Sequence, residues 1–266
     1  MSDANTIIRP AAVSGMFYSA DPNQLQSDIS RYLQQAKTES DLMPKAIIVP
    51  HAGYIYSGPI AASAYKLLQP TKHLIKQVIL LGPSHRVAFR GIATSNADYF
   101  STPLGNIKIN RTLCHQAETF DFVQANDAAH AQEHSLEVQL PFLQNMLDDF
   151  ELTPLVVGDC AAQDVAKLLD SIWGKSDTLI VISSDLSHYH NYFTAQQLDQ
   201  KTSLAIESCQ PENISYEDAC GRTPLNGLLT LMKQKHLSID TVDLRNSGDT
   251  AGDKERVVGY GAYVVH

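Results

Sequence analysis

The sequence is short of several features that mark common classes of protein. It has 20 basic residues against 29 acidic ones, a formal charge of -9, and no cluster of lysine and arginine that would neutralise a run of phosphates. No apolar run approaches the ~20 residues of a membrane span. These absences argue against nucleic acid and against a membrane as partners. We expect a small molecule or a peptide as the ligand, and the oligomeric state stays open.

Cysteines and targeting signals are scarce as well. The first six residues lack the basic region and apolar core of a secretion signal. The four cysteines, Cys114, Cys160, Cys209 and Cys220, lie far apart in the chain, which is typical of reduced thiols rather than of a disulfide framework. We therefore expect a cytoplasmic protein.

Short apolar runs alternate with helical patterns along the chain. Runs rich in β-branched residues or leucine at 46–49, 77–81, 155–158 and 179–182 predict buried strands. This alternation predicts an α/β fold, a three-layer α/β/α arrangement around a central, mostly parallel or mixed sheet. With no internal repeat and no Pro/Gly/Ser linker, a single domain over residues 1–266 is the simpler interpretation.

Three segments between the strands carry local predictions. Pro59 opens a helix that runs through Leu68, because proline is favourable near a helix start. Residues 91–110 form a hairpin-like excursion. A stripe of leucines predicts a helix from near Glu133, bent at Pro141.

Three of the predicted strands run into segments that carry a histidine. His51 follows the first run, His85 follows the second, and Asp185 with His188 follow the run at 179–182. In open α/β sheets, ligands bind beyond the carboxyl ends of the strands, so these side chains are expected on one rim of the sheet. One such histidine alone would be explained by a hydrogen bond to a loop. The convergence of three strand ends favours a functional site.

Imidazole rings on a shared rim are suitable metal ligands. They suit zinc, copper and iron, and a catalytic centre needs about three protein ligands with an open position. His51 and His85 are one ligand short, and the candidates for the third are Asp185, His188, Glu133, His134 and Cys220. Cys220 stands just before a predicted helix start at 221–224, where the helix dipole and an arginine favour the thiolate. The alternative for this residue is a buried, inert thiol.

Further polar and aromatic residues have a place near the predicted rim. Glu133 would complement the dipole of a helix, and His134 would reach the rim as an acid or base. Glu137 is expected to be a solvated or capping carboxylate. The HExxH zinc signature is absent, because no second histidine follows four residues after the first. Tyr54 and Tyr56 are best placed to line a pocket, with aromatic packing as the alternative for at least one of them.

Seven motifs together resemble the Memo-like proteins, whose bacterial and archaeal members are called AmmeMemoRadiSam system protein B. The motifs are AVSGMFY at 12–18, PHAGY at 50–54, LGPSH at 81–85, EHSLE at 133–137, SSDLSH at 183–188, CGR at 220–222 and GYGA at 259–262. That family is similar in fold to class III extradiol dioxygenases of the LigB type, which use non-haem iron(II) to open catechol rings. The resemblance implies a LigB-like fold, with His51 and His85 as metal ligands and Cys220 in place of the carboxylate ligand.

The resemblance also implies roles for the residues around that centre. His134, Asp185 and His188 match further pocket positions and would move protons or orient a substrate, with His188 as the acid or base. Phe17 stands where some relatives have tryptophan, which alters the shape of the pocket. The substrate-binding candidates are Tyr54, Tyr56 and Phe17. A thiolate ligand shifts the preference of the site towards iron, copper or zinc, and iron(II) is expected first.

Three functions stay open at this point. The first is an iron(II)-dependent, dioxygenase-like oxidoreductase with a His/His/Cys site. The second is a non-catalytic module whose pocket binds a peptide or a small acid. A zinc hydrolase comes third, because the usual water-activating glutamate motif is missing. Neither a substrate nor turnover follows from the sequence.

Overall fold

A mixed β-sheet runs through the middle of the protein. The structure, a computed structural model, describes residues 6–37 and 43–266. In chain order its helices and strands are β1 (Ile8–Arg9), α1 (Pro22–Gln35), β2 (Ala46–Val49), α2 (Tyr54–Tyr65), β3 (Gln77–Pro83), β4 (Ile92–Thr94), β5 (Tyr99–Thr102), β6 (Gly105–Lys108), α3 (Arg111–Ala117), β7 (Val123–Ala125), α4 (Asp127–Ala131), α5 (Leu140–Met146), β8 (Glu151–Val157), α6 (Ala162–Ser171), β9 (Thr178–Ser183), β10 (His188–His190), α7 (Tyr192–Glu207), α8 (Arg222–Lys235), β11 (Ile239–Asn246) and β12 (Val257–Val265). None of the helices in this part of the chain is both long enough and apolar enough to cross a membrane.

The order of the strands brings the predicted strand ends together. Within the described residues, the large sheet has the order β10-β12-β2-β9-β3-β8-β4-β7, and β11 lies along β12. Its centre is parallel, because β2 and β3 both pair in parallel with β9, and β8 pairs in parallel with β3. Val49 is level with Ser183, and Leu81 is level with Ile182. The chain therefore leaves β2, β9 and β3 at the same rim, as the sequence predicted.

Alternate residues of the strands fill two separate apolar cores. Ile47 and Val49 pack into the core beside α1, α2 and α5, whereas Ala46 and Ile48 pack into the core beside α6 and α8. All four side chains are at most 1% exposed. A strand covered on both faces reads as a continuous apolar run, which is the pattern at 46–49. The predicted three-layer α/β/α fold is confirmed.

Helix α2 begins five residues before its predicted start. Gly53 caps it, and Pro59 lies inside the helix rather than at its first turn. The glycine before the proline signals a turn in the sequence, but in the structure it allows close packing: a Cβ on Gly58 would lie 2.8 Å from the ring of Tyr32. The prediction was wrong because the glycine serves a tertiary contact.

The segment that begins at Glu133 also differs from its prediction. A short 3-10 turn spans Glu137–Gln139, and α5 starts only at Leu140, so Pro141 lies in the first turn of a helix and does not bend one. Residues 133–136 therefore precede the helix as a turn at the rim, in which the carbonyl of His134 accepts the backbone N–H of Val138 at 3.0 Å. In the 91–110 region a hairpin does form, but it joins β5 to β6, whereas the predicted first strand at 91–94 becomes β4 and pairs with β7 and β8 in the central sheet.

Candidate metal centre

His51 follows β2 and is fixed by its backbone and by both ring nitrogens. Its backbone N–H donates to Oδ1 of Asp185 at 2.7 Å. In the ring, Nδ1 is 2.9 Å from Oγ of Ser183 and Nε2 is 3.3 Å from Sγ of Cys220. Burial, followed by the nearby rings of His85 and His134, lowers the pKa of His51 well below its ordinary value. The ring is therefore neutral at pH 7, which is the form that binds a metal.

The hydroxyl of Ser183 sets the tautomer of His51. It donates its hydrogen to the carbonyl of Ser135 at 2.6 Å, and it accepts a hydrogen bond from the amide Nε2 of Gln139 at 2.9 Å. Because that hydrogen is already committed, Ser183 can only accept from Nδ1 of His51. The proton of the ring is then on Nδ1, and the lone pair of Nε2 points away from the sheet towards Cys220.

Glu133 orients the second histidine of the rim. Its Oε1 is 2.9 Å from Nδ1 of His85, and its Oε2 accepts the backbone N–H of the same residue at 2.6 Å. The backbone N–H groups of His134 and Ser135 also donate to Oε1. Burial alone would raise the pKa of Glu133, but these hydrogen bonds and the charge of His85 lower it to about 2. An ionised carboxylate behind Nδ1 leaves Nε2 of His85 as the available ligand atom, an arrangement common behind metal-binding histidines.

His134 completes a group of three imidazoles. Its ring stacks on that of His85, with 4.6 Å between centroids, and meets the ring of His51 edge-on at 5.4 Å. The nitrogen Nδ1 of His134 is buried and has no hydrogen-bond partner. Burial, and then His85, lowers the pKa of His134, so this ring too favours the neutral form.

The spacing of these three rings fits a metal ion. One nitrogen from each of His51, His85 and His134 lies within 4.8 Å of the other two. Three nitrogens bound ~2.1 Å from a common ion in tetrahedral geometry lie ~3.4 Å apart, so the rings would have to approach one another by about an ångström to bind one. Neutral imidazoles suit zinc, copper and iron alike, and the donor set does not choose among them. The structure thus brings His134, one of the candidates for the third ligand, into the ligand group, although the family resemblance implies a proton-moving role for it.

Cys220 lies beside this group, but its thiol is not the expected thiolate. Burial, and then the Asp185 carboxylate, raises the pKa of Cys220 to about 12. The arginine that was expected to lower it, Arg222, instead stacks on Tyr216, with 3.6 Å between the guanidinium carbon and the ring centroid. The sulfur accepts the backbone N–H of Asp185 at 3.3 Å. A bound cation would reverse this preference, because a coordinating thiol loses its proton.

A cavity of about 710 Å³ opens over the three rings. The predicted site residues on its wall are Phe17, His51, Tyr56, His85, His134, Asp185, His188 and Cys220. Burial raises the pKa of the Asp185 carboxyl, and His188 is partly exposed at the start of β10. Their catalytic roles stay predictions, as do the substrate-binding roles of Phe17 and Tyr56.

Tyr54 is the predicted pocket residue that the structure places elsewhere. It is 4% exposed, its hydroxyl donates to the carbonyl of Val138 at 2.8 Å, and its ring packs against Tyr18 and Phe142. Of the two tyrosines, Tyr54 is the one that serves aromatic packing. It is the first residue of α2, and its side chain lies on the face of the helix that is buried against α5. Tyr56, two residues later, faces the cavity.

Two supporting residues were not identified correctly from the sequence. Glu137, expected to be solvated, is 1% exposed and forms an ion pair with Arg9. It also accepts hydrogen bonds from the hydroxyl of Tyr18 and from the backbone of residues 12 and 13, so it ties the segment that carries Phe17 to the rim. Gln139, which supports Ser183, gave no signal at all. For Glu133 the signal was its place beside His134, although it orients His85 rather than a helix.

Comparison with known proteins agrees with this geometry. The sequence profile of the family described as Memo-like protein matches residues 9–264. A MEMO1 family protein of Aquifex aeolicus is 35% identical, with 95% of this chain and 97% of the relative covered. A MEMO1 family protein of Sulfolobus acidocaldarius is 33% identical over 96% of this chain and 98% of the relative.

A solved structure supports the fold independently. The uncharacterized protein JW3007 from Escherichia coli K12 superimposes with a TM-score of 0.54 at 12% identity, covering 84% of this chain and 100% of that one. At this identity the likeness concerns the fold alone. The family match and the two relatives span nearly the whole chain. The chain therefore belongs to the Memo-like protein family.

Proposed function

We propose that the protein binds a transition metal at the histidine rim, iron(II) in the first place, and acts as a dioxygenase-like oxidoreductase. One observation carries this proposal: three imidazoles converge at the floor of a cavity, with a nitrogen of each within 4.8 Å of the others. Two of them are also oriented from behind, His51 by Ser183 and His85 by Glu133. Groups that merely stabilise a loop do not need three converging imidazole rings.

His51 and His85 are the proposed core of the ligand set. The third ligand is either His134, which lies within the same group, or Cys220, whose sulfur is 3.3 Å from Nε2 of His51. Iron(II) would supply a redox-active centre with open positions facing the cavity. The residues of the chain would then do the rest: Asp185 and His188 hold or move protons, and Phe17 with Tyr56 flanks a planar substrate.

The metal content of the protein purified without oxygen tests the proposal. We expect close to one iron per chain in the wild type, and strong loss of iron in His51→Ala with the circular dichroism spectrum unchanged. His115→Ala is the matched control, because His115 is an exposed histidine outside the cavity. A wild type that carries no metal, and takes up neither added iron(II), copper nor zinc, would refute the metal site.

Two further variants decide the third ligand. If His134→Ala loses the metal while Cys220→Ser keeps it, the set consists of three histidines. The opposite result gives the His/His/Cys set that the family resemblance implies. Oxygen uptake with a panel of catechols then separates an enzyme from a protein that binds metal without turnover.

The cavity itself favours a second candidate function, a non-catalytic binding module. Its volume of about 710 Å³ is within the ~300–1,000 Å³ typical of sites for small ligands, and its wall is rich in aromatic rings. In that case a peptide or a small acid would bind equally well to the wild type and to His51→Ala. Binding that depends on the metal ligands would exclude this alternative.

A further inference from the structure

One cation on the cavity wall forms no ion pair within the described part of the chain. Among the described residues that line the cavity, Arg256, just before β12, is the only lysine or arginine. Within residues 6–37 and 43–266, no carboxylate comes within ion-pair distance, 4.0 Å, of its guanidinium group. The group lies instead over the ring of Tyr189, with 5.1 Å from the guanidinium carbon to the ring centroid. Arg256 is an exposed residue, so its guanidinium group is accessible to a ligand that enters the cavity.

The backbone that carries Tyr189 is in an unfavourable conformation. Its φ of 63° lies in the left-handed region, which a residue with an aromatic side chain rarely adopts. The pairing of β10 with β12 shifts register between His188 and His190, so Tyr189 is the irregular residue of the strand. Such strain persists only where the surrounding structure enforces it, and it concentrates at functional sites.

The irregularity has a visible effect on the cavity. Neighbouring side chains of a regular strand point to opposite faces, so His188 and Tyr189 would not share a wall. A β-bulge changes the direction in which a side chain points, and here His188 and Tyr189 both line the cavity. The strained conformation thus places an exposed aromatic ring beside His188 and under Arg256.

The acidic residues at the mouth form no ion pair with this cation in the described part of the chain. Backbone hydrogen bonds from residues 255 and 256, and then the charge of Arg256, lower the pKa of Asp253, so this carboxylate lies near the cation. Asp253 lines the cavity too, but its Oδ1 accepts the backbone N–H groups of Glu255 and Arg256, so the carboxylate stabilises the turn that carries the arginine. Glu217 belongs to a different segment, the one that leads to Cys220, and forms no ion pair with Arg256.

We propose that Arg256, supported by Tyr189, binds the anionic group of a planar ligand, which makes a small aromatic acid the substrate class of the cavity. A guanidinium stacked on a ring keeps its N–H edge free, and that edge matches a carboxylate with two parallel hydrogen bonds. The aromatic wall, including Tyr56 and Tyr260, suits the flat body of such a ligand. This inference rests on the proposed function in one respect: it places the end of the ligand opposite its anionic group at the three histidines.

A pair of matched probes tests the subsite. The probes are 3,4-dihydroxybenzoate and its neutral amide, 3,4-dihydroxybenzamide, titrated calorimetrically without oxygen into wild type and variants. We expect the wild type to bind the acid about tenfold more tightly than the amide, as for a charge-assisted pair in a partly enclosed site, and Arg256→Gln to lose this preference. Lys254→Gln is the control: it removes the same charge two residues away, where the ammonium lies over Tyr192 and outside the cavity lining.

Tyr189 gives a second variant that separates function from folding. Because a φ of 63° suits glycine, Tyr189→Gly is expected to melt no lower than the wild type and still to lose part of the preference for the acid. A residue with a purely structural role would show the opposite pattern, a lower melting temperature with unchanged binding.

Three results would overturn the proposal: equal binding of the two probes by the wild type, an unchanged preference in Arg256→Gln, or no binding of either probe. Failure of the metal site is recognised separately, by metal analysis of the same samples, in which Arg256→Gln should keep the wild-type content. Benzoate and benzamide, which lack the two hydroxyls, report the preference for the acid in protein stripped of metal.

Discussion

Glu133→Gln tests how the histidine rim is held together. The two carboxylate oxygens accept four N–H groups, from Nδ1 and the backbone of His85 and from the backbone of His134 and Ser135. Glutamine keeps one acceptor oxygen and has an amide NH₂ donor in place of the other. At least one of the four buried N–H groups then faces this donor and has no acceptor. Such an unsatisfied donor costs about 1–3 kcal/mol.

The titration of Glu133 gives a second measure of the same effect. The folded protein lowers the pKa of this carboxyl from its ordinary 4.5 to about 2. At 1.36 kcal/mol per pH unit this is a preference of about 3 kcal/mol for the ionised form. The lowered pKa means that this stabilisation is present above pH 4.5 and is lost as the pH falls towards 2. We therefore expect Glu133→Gln to unfold about 3 kcal/mol more easily at pH 7, and this deficit to shrink below pH 4.5.

The same substitution should weaken metal binding, since Nδ1 of His85 loses the carboxylate that orients it. Loss of such a supporting group typically costs about 10- to 100-fold in affinity. Urea unfolding followed by circular dichroism measures the stability, and zinc titration against a chromophoric chelator measures the affinity. Glu151→Gln is the control, because Glu151 pairs only with the exposed Lys108 and should cost less than about 1 kcal/mol. If Glu133→Gln matched the wild type in both assays, the carboxylate would have no part in holding the rim.

The remaining predictions concern other buried groups. Burial lowers the pKa of His130 to about 4 from an ordinary 6.5, so stability that is full above pH 6.5 should fall by about 3 kcal/mol as the pH drops towards 4. Urea unfolding at several pH values should show a smaller loss in His130→Asn, and an equal loss in both proteins would contradict the assignment. Gly221→Ala should lower the melting temperature, because its Cβ would lie 2.7 Å from the carbonyl oxygen of Ser183; Gly53→Ala, with no neighbour nearer than 3.6 Å, should change it much less. Finally, a thiol pKa raised to about 12 by burial predicts that Cys220 in metal-stripped protein resists iodoacetamide at pH 8, as mass spectrometry of the peptide would show, and rapid labelling would indicate a thiolate.

The arrangement of the rim was predictable from short-range patterns. Apolar runs such as 46–49 identify strands covered on both faces, and parallel strands deliver the residues after their carboxyl ends to one edge. His51, His85 and Asp185 followed from that rule alone. This prediction did not require the pairing register of the strands, because neighbouring parallel strands end at similar heights in the sheet.

The surroundings of the rim depend on contacts that no local pattern reveals. Glu137 is buried because it meets Arg9, a partner 128 positions away in the chain. The thiol of Cys220 is desolvated by the packing around it, which outweighs the helix start that its own neighbours in sequence suggest. The strained conformation of Tyr189 comes from the pairing of its strand with β12. In each case the deciding partner lies far along the chain, so periodicity and motif spacing carry no information about it.

The strand that leads to His51 has a consequence for how the protein folds. In the sheet β2 pairs on one side with β12, where Ala46 is level with Val265, a residue 219 positions later. The contact between Cys220 and His51 spans 169 positions. Contacts of such high sequence separation close large loops and form slowly. We therefore expect the cavity to be completed late in folding, after the β12 strand has docked, so that a metal ion binds to a scaffold already assembled and does not nucleate it.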